Sequence, residues 1–310
     1  PRSMIIFGQG AVRCHPFVLK EMQAAQLADP KQRLAEFDQL LMGHIGFAIS
    51  NGVRSLLLGA SHSALAKAPI GDAKKITRYS ANLALVADTA MLTLGGKLKV
   101  KEKLSGRLGD VLSQLYIMSS MLKRWEDQGR PVADYPLLAW AMHDAVYKMQ
   151  DALDGVLRNF PIRPVAWMLR ALVFPIGLRE RAPSDRLGHR VCTLLLAPSE
   201  TRNRLVEGVY LTPNANNVPG RMHHALDKVI ASEPVERKVV KAIKAGQIGA
   251  LEATAQLDEA VQKNVITAAE RDLLAEVRVL TNEFIAVDDF DSAELEAASA
   301  AKRAALKAVA

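Results

Sequence analysis

Several places in this sequence set reactive side chains close together, and each lacks a neighbour that its chemistry requires. Ser61-His62-Ser63 puts hydroxyls beside an imidazole, but successive residues of a helix point apart, and no orienting acid is evident. Asp151 and Asp154 stand three apart and could share a proton or a cation on one helix face; a solvated or Arg-paired face is the plainer reading. None of the seven histidines stands in an HExxH pair, and adjacent His223 and His224 cannot meet one ion from one helix face. Surface or capping roles are therefore assigned to them, and no metal site is expected. Gly8-Gln9-Gly10 opens like a dinucleotide fingerprint, but Arg13 occupies the place of the third Gly and no strand precedes it. Gly95-Gly96-Lys97 lacks the earlier Gly and the following Ser or Thr of a phosphate loop and reads as a helix end.

The stretch from Arg163 to Arg181 is of another kind. Val165, Ala166, Trp167, Met168, Leu169, Ala171, Leu172, Val173, Phe174 and Ile176 make it nearly all apolar, with Arg170 in the middle and arginines at both flanks. It is too short to span a bilayer. Two readings stay open: a core helix with a paired Arg170, or an interfacial helix with Trp167 and Phe174 in lipid and the arginines on headgroups. Arg163, Trp167, Arg170, Phe174, Arg179 and Arg181 are the candidate membrane or partner contacts.

Bulk composition narrows the classes. A hydrophobic fraction of 49% with 24% charged residues is ordinary for a folded domain and removes the disordered class. The two cysteines, Cys14 and Cys192, lie far apart and form no CxxC pair, so neither a disulfide scaffold nor a zinc knuckle is indicated. A net charge of +7 would suit an anionic partner, but with 5% aromatic residues and no docking motif, nucleic acid is not an expected partner. No run approaches the about 18 apolar residues of a spanning helix and no signal-peptide pattern is present, so a cytoplasmic chain, or one peripheral on the inner membrane, is expected.

The elements follow from spacing. Leu108, Val111, Leu112, Leu115, Met118, Leu122 and Trp125 recur at threes and fours and predict a helix over 106–128; Leu83, Val86, Ala87, Ala90, Leu94 and Leu98 predict one before it. Leu138, Ala141, Met142, Ala145, Met149, Leu153 and Val156 predict a third long helix, running to Phe160-Pro161. An earlier one is expected from Lys31 to about Leu58, with Leu34, Phe37, Leu41, Ile45, Ile49 and Val53 as its buried stripe. Thr267-Ala-Ala-Glu270 makes a capping box ahead of a face built from Leu273, Val277, Leu280 and Phe284. Between them, Pro161, Pro164, Pro175, Pro183, Pro198, Pro213 and Pro219 punctuate short helices, and residues 210–220 read as an ordered loop. No alternating run is long enough for a strand, so the fold class is all-α: a multi-helix bundle with long antiparallel helices and a Pro-rich irregular insertion.

Longer strings carry a resemblance. Arg2-Ser-Met-Ile-Ile-Phe-Gly-Gln-Gly-Ala-Val-Arg-Cys-His-Pro16, Ala87-Asp-Thr-Ala-Met-Leu-Thr-Leu-Gly-Gly-Lys97, Leu104-Ser-Gly-Arg-Leu-Gly-Asp-Val-Leu-Ser-Gln-Leu115, Leu153-Asp-Gly-Val-Leu-Arg-Asn-Phe-Pro161 and Pro183-Ser-Asp-Arg-Leu-Gly-His189 resemble bacterial FadE-type long-chain acyl-CoA dehydrogenases over roughly residues 2 to 285. The resemblance implies an FAD enzyme that removes the α and β hydrogens of a fatty acyl-CoA to give the trans-2-enoyl-CoA, the first step of β-oxidation. A carboxylate takes the α proton while flavin N5 accepts the β hydride, which requires a desolvated base and a polarised thioester. By the family pattern that glutamate lies about seven residues before Arg2, so no residue here inherits its role and this stretch alone is expected to be inactive.

Residues 1–22 would then end the catalytic helical domain, residues 23–285 would form the extra C-terminal helical domain, and 286–310 an acidic, Ala-rich tail forming a frayed helix or linker. Expected partners are the upstream catalytic domains, the fatty acyl-CoA through the whole enzyme, a second copy, and the inner-membrane surface. Because the match begins abruptly at Arg2, a piece of a longer polypeptide is expected. The competing reading is a freestanding helical adaptor or membrane-binding module.

Overall fold

A computed structural model of the protein describes residue 10, residues 15–57, residues 72–286 and scattered residues between 291 and 302. Ser61-His62-Ser63, Gly8, Gln9, Arg13 and Cys14 lie outside the described residues, as does most of the tail. Among the described residues there are helices and no strand, in agreement with the all-α expectation. The chain divides into two compact units, Pro1–Thr193 and Leu194–Ala310.

The first unit is built on α1 (Val18–Ala24), α2 (Pro30–Leu56), α3 (Asp72–Leu94), α4 (Lys97–Val100), α5 (Glu102–Asp127), α6 (Tyr135–Arg158) and α7 (Arg163–Val173). Helix α5 buries Leu104, Leu108, Val111, Leu115, Met118, Leu122 and Trp125, one face at alternating steps of four and three. Leu112, expected on that face, lies to one side and is partly exposed. Helix α6 answers with Leu138, Met142, Ala145, Met149, Leu153 and Val156, and packs along α5. The short link between them leaves no option but an antiparallel pair. Trp125 Nε1–H donates to the carbonyl of Pro131 and closes that corner. Helix α3 adds Val86, Ala87, Ala90 and Leu94 to the same core and stops where expected, at Gly95, whose φ of +50° is left-handed. Ala166, Leu169 and Val173 of α7 complete the core.

Helix α2 runs unbroken through Gly43, Gly46 and Gly52, capped by Asp29, whose carboxylate accepts the N–H groups of Lys31 and Gln32. Its orientation corrects the sequence reading. Leu34, Leu41, Ile45, Ile49 and Val53, expected in the core, are between 39% and 63% exposed, and Phe37 is half-buried. The buried residues of α2 are instead Asn51 and Ser55.

Helix α8 (Asp185–Leu196) spans the boundary after Thr193, and the second unit holds α9 (Glu200–Val206), α10 (Val218–Lys244), α11 (Ala253–Gln262) and α12 (Ala268–Ile285). Val235, Val239, Ala242, Ile248, Leu257, Ala260, Ile266 and Leu274 form its core. The capping box at Thr267 is present in both directions: Thr267 Oγ1 accepts from Glu270 N at 3.2 Å and Glu270 Oε2 from Thr267 N at 2.8 Å. The α12 face is turned by about one residue from that expected: Leu274 and Val277 are buried, while Leu273, Leu280 and Phe284 are half-buried. The ordered loop ends at Asn217, whose amide donates to the carbonyls of Tyr210 and Thr212 and whose oxygen accepts from Gly220 N. Gly220 sits inside α10 because any Cβ there would lie 2.6 Å from the Thr212 carbonyl oxygen.

Candidate functional site

One surface and one largely buried cluster stand out once the core is subtracted. The segment singled out in the sequence folds as α7 and the strand-free stretch after it. Its inward side is core, and Phe174 belongs to it at 5% exposure, which takes Phe174 out of any surface contact. Arg170 is paired: its Nη1 donates to Asp154 Oδ1 at 2.5 Å, and Arg158 approaches the other oxygen at 3.7 Å. Asp154 is thus the Arg-paired member of the Asp151–Asp154 couple; Asp151 is exposed. Trp167 stands on the opposite side, 63% exposed, with Met168 beside it, and Arg163, Arg179 and Arg181 are exposed. The stretch is held in place rather than loose. Gln150 Oε1 accepts the N–H groups of Arg179 and Glu180, its amide donates to the Glu180 carbonyl, and the Glu180 carboxylate meets Lys75 and Arg78 of α3.

The cluster was not anticipated. His15 Nε2 lies 2.8 Å from Asp88 Oδ1, His44 Nε2 lies 3.7 Å from Asp88 Oδ2, and His44 Nδ1 donates to Glu21 Oε1 at 2.9 Å. The four residues come from the entry segment, α1, α2 and α3, and tie all of them together. Phe17 stacks on His44 with 5.6 Å between ring centroids, and Phe47 meets His15 edge-on at 5.5 Å. Asp88 is 91% buried, and burial pushes its carboxyl above the usual carboxylate range, against the lowering pull of His15 and His44. One signal in the sequence pointed here: Asp88 interrupts the apolar stripe of α3 between Ala87 and Ala90, where a charge needs partners.

His15, His44 and Asp88 offer ligand atoms within 4.8 Å of one another, so the arrangement invites a divalent ion. The hydrogen bonds of His15 argue otherwise. Its Nδ1 accepts the backbone N–H groups of Phe17 and Val18 at 3.2 and 3.1 Å, which places the ring proton on Nε2, the atom a metal would need bare. The cluster joins four elements through the hydrogen bond from His44 to Glu21 and the close approach of both imidazoles to the Asp88 carboxylate, whose two oxygens and His15 Nε2 have no hydrogen bond of good geometry.

A hollow of about 460 Å³ between α5 and α6 is lined by Arg107, Lys148, Asp110 and Asp151 among others, an even mix of charges that does not suit a pyrophosphate. Among the described helices none is long and apolar enough to cross a membrane.

No solved structure matches this chain. The family model described as "Acyl-CoA dehydrogenase, C-terminal, bacterial type" matches residues 12–290, which takes in α1 to α12 and both compact units. The resemblance carried by the sequence strings and the all-helical architecture agree with that match, and the chain belongs to the family of bacterial-type acyl-CoA dehydrogenase C-terminal domains.

Proposed function

We propose that this chain is the C-terminal helical portion of an FAD-dependent acyl-CoA dehydrogenase that converts a fatty acyl-CoA to its trans-2-enoyl-CoA in the first step of β-oxidation. Residues 1–22 close the catalytic helical domain, residues 23–285 form the appended helical domain, and 286–310 form the tail. The observation that carries the reading is the family match over residues 12–290. The structure is consistent with it. The fold is helical throughout the described residues, and Asp154, first considered for chemistry, is engaged in an ion pair with Arg170. On this reading the base, the FAD and the acyl chain are held by the preceding part of the enzyme, and this portion contributes packing. Expressed alone with FAD and palmitoyl-CoA, the 310-residue chain gives no turnover, whereas the polypeptide extended upstream through the dehydrogenase portion does. Turnover by the short chain would show the active site to be misplaced.

A membrane or partner contact through α7 is a second reading, favoured by the outward Trp167 flanked by Arg163, Arg179 and Arg181. Replacing Trp167 with Ala is then expected to weaken sedimentation with anionic vesicles while leaving the unfolding midpoint unchanged. Equal sedimentation of both proteins would remove this reading.

A further inference from the structure

His44 has a carboxylate in front of each ring nitrogen. Its Nδ1 lies 2.9 Å from Glu21 Oε1 of α1, and its Nε2 lies 3.7 Å from Asp88 Oδ2 of α3. Only the protonated imidazole carries an N–H on both nitrogens, so only the charged ring offers a proton to each acid. A neutral ring has one N–H to give. The hydrogen bond to Glu21 takes it, and the bare nitrogen is then left facing the Asp88 carboxylate. Imidazole is the side chain that ordinarily changes charge between about pH 5 and 8.

Among the described residues, the titratable groups at this point are Glu21 of α1, Asp88 of α3 and His15 of the entry segment. His15 does not share the role of His44. Its Nδ1 accepts the N–H groups of Phe17 and Val18, so even its neutral ring keeps a proton on Nε2, 2.8 Å from Asp88 Oδ1. The other charges on the elements packed against α2 are engaged elsewhere: Lys75 and Arg78 of α3 on Glu180, Arg163 of α7 on the Arg158 carbonyl, and Arg170 on Asp154. Lys20, Asp38 and Lys74 are exposed to solvent. Two charged imidazoles balance the two acids; a neutral His44 leaves one acid without a counter-charge at a site where burial already disfavours the Asp88 carboxylate. The polar groups of the inward faces do not oppose release. Asn51, two turns beyond His44 on the same side of α2, and Ser55 are buried with Asn51 Nδ2 and Ser55 Oγ lacking hydrogen-bond partners, as are Asn82 and the Tyr79 hydroxyl of α3.

We propose that His44 is a proton-operated latch: its charged ring fastens α2 to α3 through Asp88, and loss of the proton as pH rises unfastens α2 from α3 while leaving it attached to α1 through Glu21. The direction follows from the number of N–H groups. Two carboxylates need two, which only the acid form has, so the latch is closed on the acid side and opens on the alkaline side. Helix α1 goes with α2, because Phe17 stacks on His44 at 5.6 Å and its ring lies so close over Gly43 that a Cβ there would come within 2.7 Å of it. The latch is independent of the function proposed above and does not rest on it.

The test uses the 310-residue chain carrying Asn51→Cys on the inward face of α2, with Val132→Cys as an exposed reference and Ala145→Cys as a reference in the α6 core, and reads thiol labelling at each position by mass spectrometry from about pH 5.5 to about pH 8.5. Dividing by the rate at position 132 removes the pH dependence of the thiol itself. The proposal expects the ratio at position 51 to rise several-fold with pH while position 145 stays protected. Adding His44→Gln makes position 51 fast at every pH with position 145 still protected, and adding His15→Gln leaves the rise in place. Ser55→Cys, a nearly isosteric change on the same face, gives the same rise and separates it from any effect of replacing Asn51. A ratio that does not change with pH at either position overturns the proposal. So does a rise that survives His44→Gln, or one that disappears with His15→Gln, which would assign the proton to His15. Equal gains at positions 51 and 145 also overturn it, because they report unfolding of the whole unit rather than release of α2.

Discussion

Helices α2 and α6 are both long, both spaced for one apolar face, and they use that face in opposite ways. In α6 the stripe Leu138, Met142, Ala145, Met149, Leu153 and Val156 lies at the centre of the first unit, each residue at 6% exposure or less. In α2 the corresponding stripe faces out, while His44, Asn51 and Ser55 face in. The difference lies in what else each helix carries. Helix α6 also buries two polar residues, Gln150 and Asp154, but their partners, the backbone at Arg179–Glu180 and the Arg170 guanidinium, are met with the apolar stripe still turned inward. Helix α2 has His44, which two carboxylates from other elements can satisfy only when the helix is turned that way. A directional bond to a buried charge overrides the non-directional pull of apolar area. Periodicity therefore reports that a helix has an apolar face, not which body will cover it.

The largest effect that would sharpen this contrast is Leu153→Ala in α6. The side chain is fully buried, and truncation leaves a cavity in a close-packed core, so urea unfolding of the 310-residue chain should show a loss of about 2–5 kcal/mol. His44→Ala should cost less, about 1–3 kcal/mol, by leaving Glu21 without its imidazole partner and Asp88 with His15 alone. In a protein that also carries Ile49→Cys, it should slow thiol labelling at position 49 by freeing α2 to roll; labelling that stays fast would show that something other than His44 sets the orientation.

Asp88→Asn tests the same tie through pH. Burial holds the Asp88 carboxyl above its unfolded value, so this group favours the fold below the ordinary carboxylate range and loses that contribution as pH rises through its raised value. Unfolding curves at a series of pH values should find the Asn variant gaining on the natural protein across that window. A difference independent of pH would mean that His15 and His44 compensate the charge fully. The smallest effect belongs to Ile49→Ala, expected to shift the stability of the 310-residue chain by less than about 0.5 kcal/mol because the side chain already stands in water. A loss comparable to that of Leu153→Ala would erase the contrast between the two helices.

Much of the architecture was legible because it depends on local chemistry. The helices at 102–127 and 135–158, the stop at Gly95, the capping box at Thr267 and the ordered loop ending at Asn217 each follow from residues within one or two turns of each other. The candidate surface was legible only in part. The stretch 163–181 is apolar with arginines, and both features are present, but the sequence had no means of placing Phe174 in the core and Trp167 outside it. The His15–His44–Asp88–Glu21 tie escaped notice because its members are spread over 74 positions from first to last and follow no ligand spacing.

By itself, the sequence determined that this protein is helical, where most of its helices begin and end, and, through its longer strings, the family to which it belongs. Only the tertiary structure decided which way each helix faces. Periodicity is a property of one segment, whereas orientation is settled by partners on other segments. Asp88 is the clearest case, since a charge in an apolar stripe is an anomaly until two histidines from elsewhere in the chain are folded against it.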